Sequence, residues 1–156
     1  MTVIVKKCAT PAQTEQLAQA LAVSLRRVDL PLWICLDGEL GSGKTAFVRY
    51  LLQALGVDSK IKSPTYTLLE SYDTSVGTAH HFDLYRLQHP AEWDESGFAE
   101  TALAAALFMV EWRAQALGQL PAFDLQIDCA YEDEGRSYAF TALSDKAKGL
   151  LQWLSP

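Results

Sequence analysis

Asparagine is absent from this 156-residue chain. Every N-glycosylation acceptor is thereby excluded, with every motif built on Asn. Cysteine is scarce: Cys8, Cys35 and Cys129 are odd in number, far apart, outside C-x-x-C spacing, and in or beside apolar stretches. That pattern argues against a disulfide frame or a zinc site and reads as three buried thiols in a reducing cytoplasm. Long apolar runs are missing too. The longest, Ala102 to Val110, has nine residues, against about 20 for a spanning helix. The opening Met-Thr-Val-Ile-Val-Lys-Lys lacks the order of a signal peptide, so no membrane segment is expected. Basic charge is in short supply, with 13 Lys and Arg against 19 Asp and Glu, a net charge of −6 and a pI near 5.0. A strongly basic nucleic-acid binder is therefore disfavoured, because phosphate contacts need clustered Lys and Arg. The shortage is uneven. Residues 1–62 carry 8 basic and 5 acidic side chains, while residues 63–156 carry 5 and 14. An anionic ligand belongs with the first part.

What is present is 49% hydrophobic residues without repeats, low-complexity tracts or linkers, as expected of a single domain over 1–156. Val3–Val5 reads as a short strand. Thr10 caps a helix to about Arg27, with Pro11 in its first turn and Leu17, Leu21 and Leu25 at helical spacing. Leu32–Leu36 is a continuous apolar strand of the kind buried on both faces of a parallel sheet. A glycine-rich loop and a helix from about Gly43 to Leu55 follow. Thr65–Tyr72 and Thr78–Leu87 read as two strands around a turn, and Pro90 opens a helical, acidic region to about Ala105. Ala106–Val110 is a second buried strand. Phe123–Ala130 and Ser137–Leu143 form a hairpin, and Ser144 begins a closing helix to about Trp153. The alternation predicts an α/β three-layer sandwich, a mixed sheet with a parallel core and antiparallel strands.

The chemistry starts at Gly38-Glu39-Leu40-Gly41-Ser42-Gly43-Lys44-Thr45, which fits the phosphate-binding loop G-x-x-x-x-G-K-[ST] between a buried strand and a helix. Glycines let successive N–H groups turn inward toward phosphate oxygens, and the next helix's N-terminus favours anions. In this pattern Lys44 serves the β- and γ-phosphates and the Thr45 hydroxyl coordinates Mg²⁺. Such a loop needs an acid on a neighbouring strand to complete the metal shell. Glu111 ends the apolar run Leu107–Val110, at a strand tip where parallel sheets bind ligands. Asp83 is the other candidate, for metal or for orienting a water. If its strand alternates, His81, Asp83 and Tyr85 share one face. Ser63-Pro64-Thr65-Tyr66-Thr67 stands where a switch loop sits in nucleotide-hydrolysing proteins, with Thr65 offering a hydroxyl.

The P-loop, Ser63-Pro64-Thr65-Tyr66-Thr67-Leu68, His81-Phe82-Asp83-Leu84-Tyr85-Arg86-Leu87 and Glu111-Trp112, in this order and spacing, resemble the TsaE family over nearly the whole chain. TsaE is a small P-loop ATPase of bacterial tRNA threonylcarbamoyladenosine synthesis. The resemblance implies an ATP-hydrolysing accessory protein acting with TsaB and TsaD, which modify adenosine 37 of tRNAs reading codons that begin with adenine. It implies ATP and Mg²⁺ as ligands and contact with tRNA only indirectly, through the complex. Carried over by residue, it implies that Lys44 and the loop amides through Ala46 hold phosphates and that Thr45 and Glu111 hold Mg²⁺. Asp83 would be the acid needed for activity and Thr65 part of the switch-like loop. Thr10 and Thr14 would stand beside the base, and Arg136 near the nucleotide. Two positions depart from the family: Ala46 stands where a second Thr is frequent, and Arg113 follows Glu-Trp where Pro is usual.

Two other nucleotide chemistries fit less well. A small-molecule kinase usually clamps the transferred phosphate with several lid arginines, and after residue 62 only Arg86, Arg113 and Arg136 remain. A GTPase commonly reads guanine through N-K-x-D, which a chain without Asn cannot carry. An ATP-sensing interaction module without turnover stays open. Lys60, Lys62, Arg26 and Arg27 are the candidates for a locally basic face, for RNA or for the nucleotide. The acidic stretch Glu92 to Glu100 reads as a solvated helix face or a partner surface.

Overall fold

A computed structural model describes residues 3–101 and 104–154. Seven strands form one sheet in the order β1-β7-β6-β2-β5-β4-β3. They are β1 Val3–Cys8, β2 Leu32–Asp37, β3 Leu69–Thr74, β4 Gly77–Asp83, β5 Leu107–Glu111, β6 Leu125–Tyr131 and β7 Arg136–Ala142. The inner strands β6, β2, β5 and β4 run parallel; β7 is antiparallel to β6, β1 is antiparallel to β7, and β3 is antiparallel to β4. The expected mixed sheet is therefore the observed one. The helices are α1 Pro11–Leu25, α2 Lys44–Ala54, α3 Glu92–Glu95, α4 Phe98–Thr101 and α5 Asp145–Leu154, with a 3-10 turn at Arg113–Ala116.

Alternation along the strands builds two cores. Leu32, Ile34 and Leu36 of β2, Leu107 and Met109 of β5, and Leu125 and Ile127 of β6 face the layer of α1, α2 and α5. Phe108 and Val110 of β5 and Phe82 of β4 face the other way, against Trp93, Phe98 and Ala116. Trp93 and Phe98 pack on Phe82 with ring centroids 4.9 and 5.3 Å away. Removing a buried aromatic of this kind costs about 3–5 kcal/mol, so the short helices α3 and α4 are held by packing rather than by their own length.

Helix α1 is capped as expected. The Thr10 Oγ1 accepts from the Gln13 N–H at 3.3 Å, Pro11 follows, and Leu17, Leu21 and Leu25 are buried. Three expectations need correction. Residues 65–68 form a turn, because the Leu68 N–H bonds back to the Pro64 carbonyl at 2.8 Å and Leu68 takes φ 66°; β3 begins only at Leu69. Strand β4 stops at Asp83, whose Oδ1 accepts from the Tyr85 N–H at 3.1 Å and turns the chain away. The acidic helix is two single turns broken at Gly97, φ 77°; positions 102 and 103 of that expected helix lie outside the described residues. The three cysteines are buried and unbridged, and no helix among the described residues is long and apolar enough to cross a membrane.

Candidate functional site

The glycine-rich loop leaves the C-terminal end of β2, at the centre of the sheet, and enters α2. Gly43 is the α2 N-cap at φ 107°, a conformation L side chains avoid. A Cβ there would lie 2.7 Å from the Tyr138 hydroxyl. Glycine at this position thus answers two constraints, backbone conformation and close packing of the loop on β7. The helix leaves the first-turn N–H groups of Lys44, Thr45 and Ala46 without acceptors four residues back. Together with the helix dipole these form an anion-binding end.

Strand register then sets the acids. Leu36 of β2, Glu111 of β5 and Asp83 of β4 are successive partners, so all three side chains point to the α2 face. The Thr45 hydroxyl donates to Glu111, with Oε1 and Oε2 at 3.1 and 3.2 Å. Lys44 is buried; its Nζ lies 2.5 Å from the Gly38 carbonyl oxygen and 3.6 Å from the centre of the Trp112 ring. A cation over an aromatic face is worth about 0.5–2 kcal/mol, more when desolvated. Burial pulls the Lys44 ammonium below its ordinary range, against Glu111, which favours its charge. Burial pushes the Asp83 carboxyl up, opposed by the Tyr85 N–H. Two acids and a lysine sharing one pocket, with Lys44 and Asp83 shifted by burial, is an arrangement typical of a reacting site.

A cavity of about 460 Å³ opens over these groups. Its wall contains Thr10, Thr14, Leu40, Gly41, Gly43, Lys44, Thr45, Ala46, Thr65, Asp83, Glu111 and Arg136. Of the Ser-Pro-Thr turn, Thr65 reaches the cavity, its hydroxyl 2.7 Å from that of Ser63. The Arg136 guanidinium lies 4.4 Å from the Tyr131 ring and faces the Gly41 carbonyl. Gly38, Glu39 and Ser42 are absent from that wall. Tyr85 also departs from the expected polar row: it is exposed, its ring beside Trp112 at 4.9 Å. Arg26 and Arg27 lie at the far end of α1 from Thr10; Arg26 bonds Ala54 and Ser75, and Arg27 covers Trp153. Neither they nor Lys60 and Lys62 line the cavity.

Sequence reasoning missed Arg49 and Tyr50, which follow Thr45 by about one helical turn on α2 and so reach the same wall. It also missed Cys8 and Tyr138 in the wall, and gave His81 and Trp112 no contact. His81 Nε2 lies 2.5 Å from Glu111 Oε2, with both side chains almost wholly buried. No cluster of three or more His, Cys, Asp or Glu suited to a metal occurs among the described residues. The Thr45 hydroxyl and Glu111 carboxylate are hard oxygen donors, and Mg²⁺ usually takes one or two such ligands plus waters and substrate phosphates. The residues present fit that ion.

Comparison with known proteins closes on one group. The family model of threonylcarbamoyl adenosine biosynthesis protein TsaE matches residues 8–138. The tRNA threonylcarbamoyladenosine biosynthesis protein TsaE of Haemophilus influenzae is 34% identical over 124 residues, 80% of this chain and 78% of that protein. The protein of the same name from Rickettsia felis is 46% identical over 101 residues, 64% of this chain and 57% of its own length. The crystal structure of YdiB from Bacillus subtilis superposes with a TM-score of 0.79 at 26% identity, covering 99% of this chain and 95% of that one.

Proposed function

The chain belongs to the TsaE family, whose members are named for tRNA threonylcarbamoyladenosine biosynthesis, and from that premise we propose that it hydrolyses ATP, with Mg²⁺, as the accessory partner of TsaB and TsaD in the cytoplasm. One observation carries the proposal. Lys44, Thr45, Glu111 and Asp83 converge on a single cavity at the N-terminus of the helix that follows the phosphate loop.

The first-turn amides of α2 and the Lys44 ammonium bind the phosphate oxygens, and Lys44 leaves the Gly38 carbonyl to do so. Thr45 and Glu111 hold Mg²⁺, which when bound neutralises charge on the β- and γ-phosphates. Thr65 closes the γ-phosphate side. Asp83 keeps one carboxylate oxygen on the Tyr85 N–H and uses the other to orient a water. The water oxygen bonds to the γ-phosphorus, the bond to the β–γ bridging oxygen breaks, and ADP leaves with its electron pair. Both of the water's protons leave with the released phosphate as dihydrogen phosphate, which gives up a proton to solvent. Thr10, Thr14 and Arg136 flank the base and sugar. The modified tRNA is met only through the partner proteins.

Titration calorimetry tests the reading. Lys44→Ala should lose ATP binding by at least tenfold, since a charge-assisted contact is worth about 1.5–3 kcal/mol. A Lys44→Ala protein that binds ATP within twofold of the unaltered chain contradicts it.

A further inference from the structure

His81 has no task in the reading above and does not line the cavity, yet it lies directly behind Glu111 of its wall. Its side chain is 1% exposed, its Nε2 lies 2.5 Å from Glu111 Oε2, and its Nδ1 has no hydrogen-bond partner among the described residues. A carboxylate only accepts, so Nε2 carries the hydrogen and donates it. In the β4–β5 register His81 faces Met109 while Asp83 faces Glu111. His81 therefore reaches Glu111 along the diagonal, within range of a long side chain.

Packing alone does not account for a histidine here. A position opposite Met109 in the sheet interior would be filled by an aliphatic side chain with no nitrogen left bare, and a bare buried nitrogen is unfavourable. What the histidine adds is a fixed donor. The last torsion of a glutamate is broad, so the carboxylate plane must be set from outside. At Glu111 it is set from two sides, by the Thr45 hydroxyl and by His81. The acid also stands next to Asp83, a second carboxylate from which it must be kept distinct in role.

We propose that His81 is a positioning residue for the Mg²⁺ site: its Nε2–H anchors Glu111 Oε2, so that Glu111 receives the Thr45 hydroxyl hydrogen and the Thr45 oxygen keeps its lone pairs for the cation. The inference rests on the ATP reading above. Partners that orient a metal-binding carboxylate or histidine are worth about 10–100-fold in metal affinity, and that is the size of effect assigned to His81.

The test is ATP titration calorimetry, with Mg²⁺ and with EDTA, on the full chain and on His81→Leu, His81→Gln and His81→Asn, each with a thermal melt. The readout is the factor by which Mg²⁺ strengthens ATP binding. His81→Leu should lose about 10–100-fold of that factor while its magnesium-free affinity stays within twofold. His81→Gln, whose amide can donate from near the place of Nε2, should recover to within about threefold of the unaltered chain. His81→Asn, with its amide near the place of Nδ1, should not. If His81→Leu fails to fold, the contrast between Gln and Asn decides. An unchanged Mg²⁺ factor in Leu, or equal losses in Gln and Asn that follow their melting temperatures, overturns the inference and leaves His81 a space-filling residue. Failure of the ATP reading looks different: the unaltered chain and Lys44→Ala would then bind ATP alike, and both conclusions would fall together.

Discussion

In the proposed reaction Asp83 serves opposite demands of folding and catalysis. Its carboxyl is held above its ordinary range by burial. A raised carboxyl contributes stability that is complete below the ordinary aspartate pKa, about 3.9, and is lost as pH rises through the raised folded value. At neutral pH the folded chain therefore bears the cost of a buried charge. Asp83→Asn should melt a few degrees higher than the unaltered apoprotein at pH 7, a gain that vanishes below about pH 4, and should hydrolyse ATP about 10²–10⁴-fold more slowly. A neutral melt below that of the unaltered chain contradicts the electrostatic account; unimpaired hydrolysis in the presence of TsaB and TsaD contradicts the catalytic one. Glu111→Ala should separate from it cleanly. Its Mg²⁺-dependent ATP binding should weaken while magnesium-free binding stays within about twofold, because its partners are Thr45 and His81 and not the loop amides. Equal losses with and without Mg²⁺ in calorimetry would remove Glu111 from the metal shell.

At the scale of elements, the phosphate loop is seated on the β6–β7 hairpin, and that seat was invisible in the sequence. Gly43→Ala places a methyl 2.7 Å from the Tyr138 hydroxyl at φ 107°. It should cost about 1–3 kcal/mol of stability and weaken ATP binding at least tenfold. Adding Tyr138→Phe should return part of the stability and leave the backbone strain, a non-additivity measurable by denaturant unfolding of the four proteins. If the double variant is no more stable than Gly43→Ala, Tyr138 is not the neighbour that excludes a side chain. The loop, the buried strands β2 and β5 and the capped helix α1 were legible because each follows from local chemistry: glycine spacing, unbroken apolar runs, Thr-Pro at a helix start. Local rules failed where tertiary contacts decided. The β-prone Thr65–Leu68 is a turn because Pro64 and Leu68 close a hydrogen bond across it. Tyr85 left the polar row because the Asp83 side chain ends the strand. Tyr138 enters the cavity wall through packing of β7 on the phosphate loop, elements distant in sequence for which no motif spacing exists, whereas Arg49 and Tyr50 lie one helical turn beyond Thr45 and were within reach of helix periodicity.

Over the whole molecule, charge and the missing arginine set expectations for its partners. The Ser63–Thr67 turn brings Thr65 to the cavity but no arginine; Arg86 covers the Tyr66 ring at 4.5 Å and is absent from the wall. Arg136 and Arg49 are in the wall, but the Arg136 guanidinium lies against Tyr131 and Gly41 and that of Arg49 lies over the Tyr50 ring at 5.6 Å. A finger arginine is worth about 10³–10⁵ in rate, so the isolated chain should be a slow ATPase whose rate rises in a complex. With a net charge of −6 and its four N-terminal-half candidate cations away from the cavity, it should also bind tRNA weakly on its own. Filter binding at near-physiological salt checks this, and tight, salt-sensitive binding by the isolated chain would point to direct RNA recognition. The central claim is tested most directly by phosphate release from Mg-ATP, with the chain alone, with TsaB and TsaD added, and with Lys44→Ala in its place. The account predicts slow release alone, at least tenfold faster release with both partners, and none above background with Lys44→Ala. Release that stays at the Lys44→Ala level under every condition, despite tight ATP binding, would contradict it and leave the chain an ATP-sensing module.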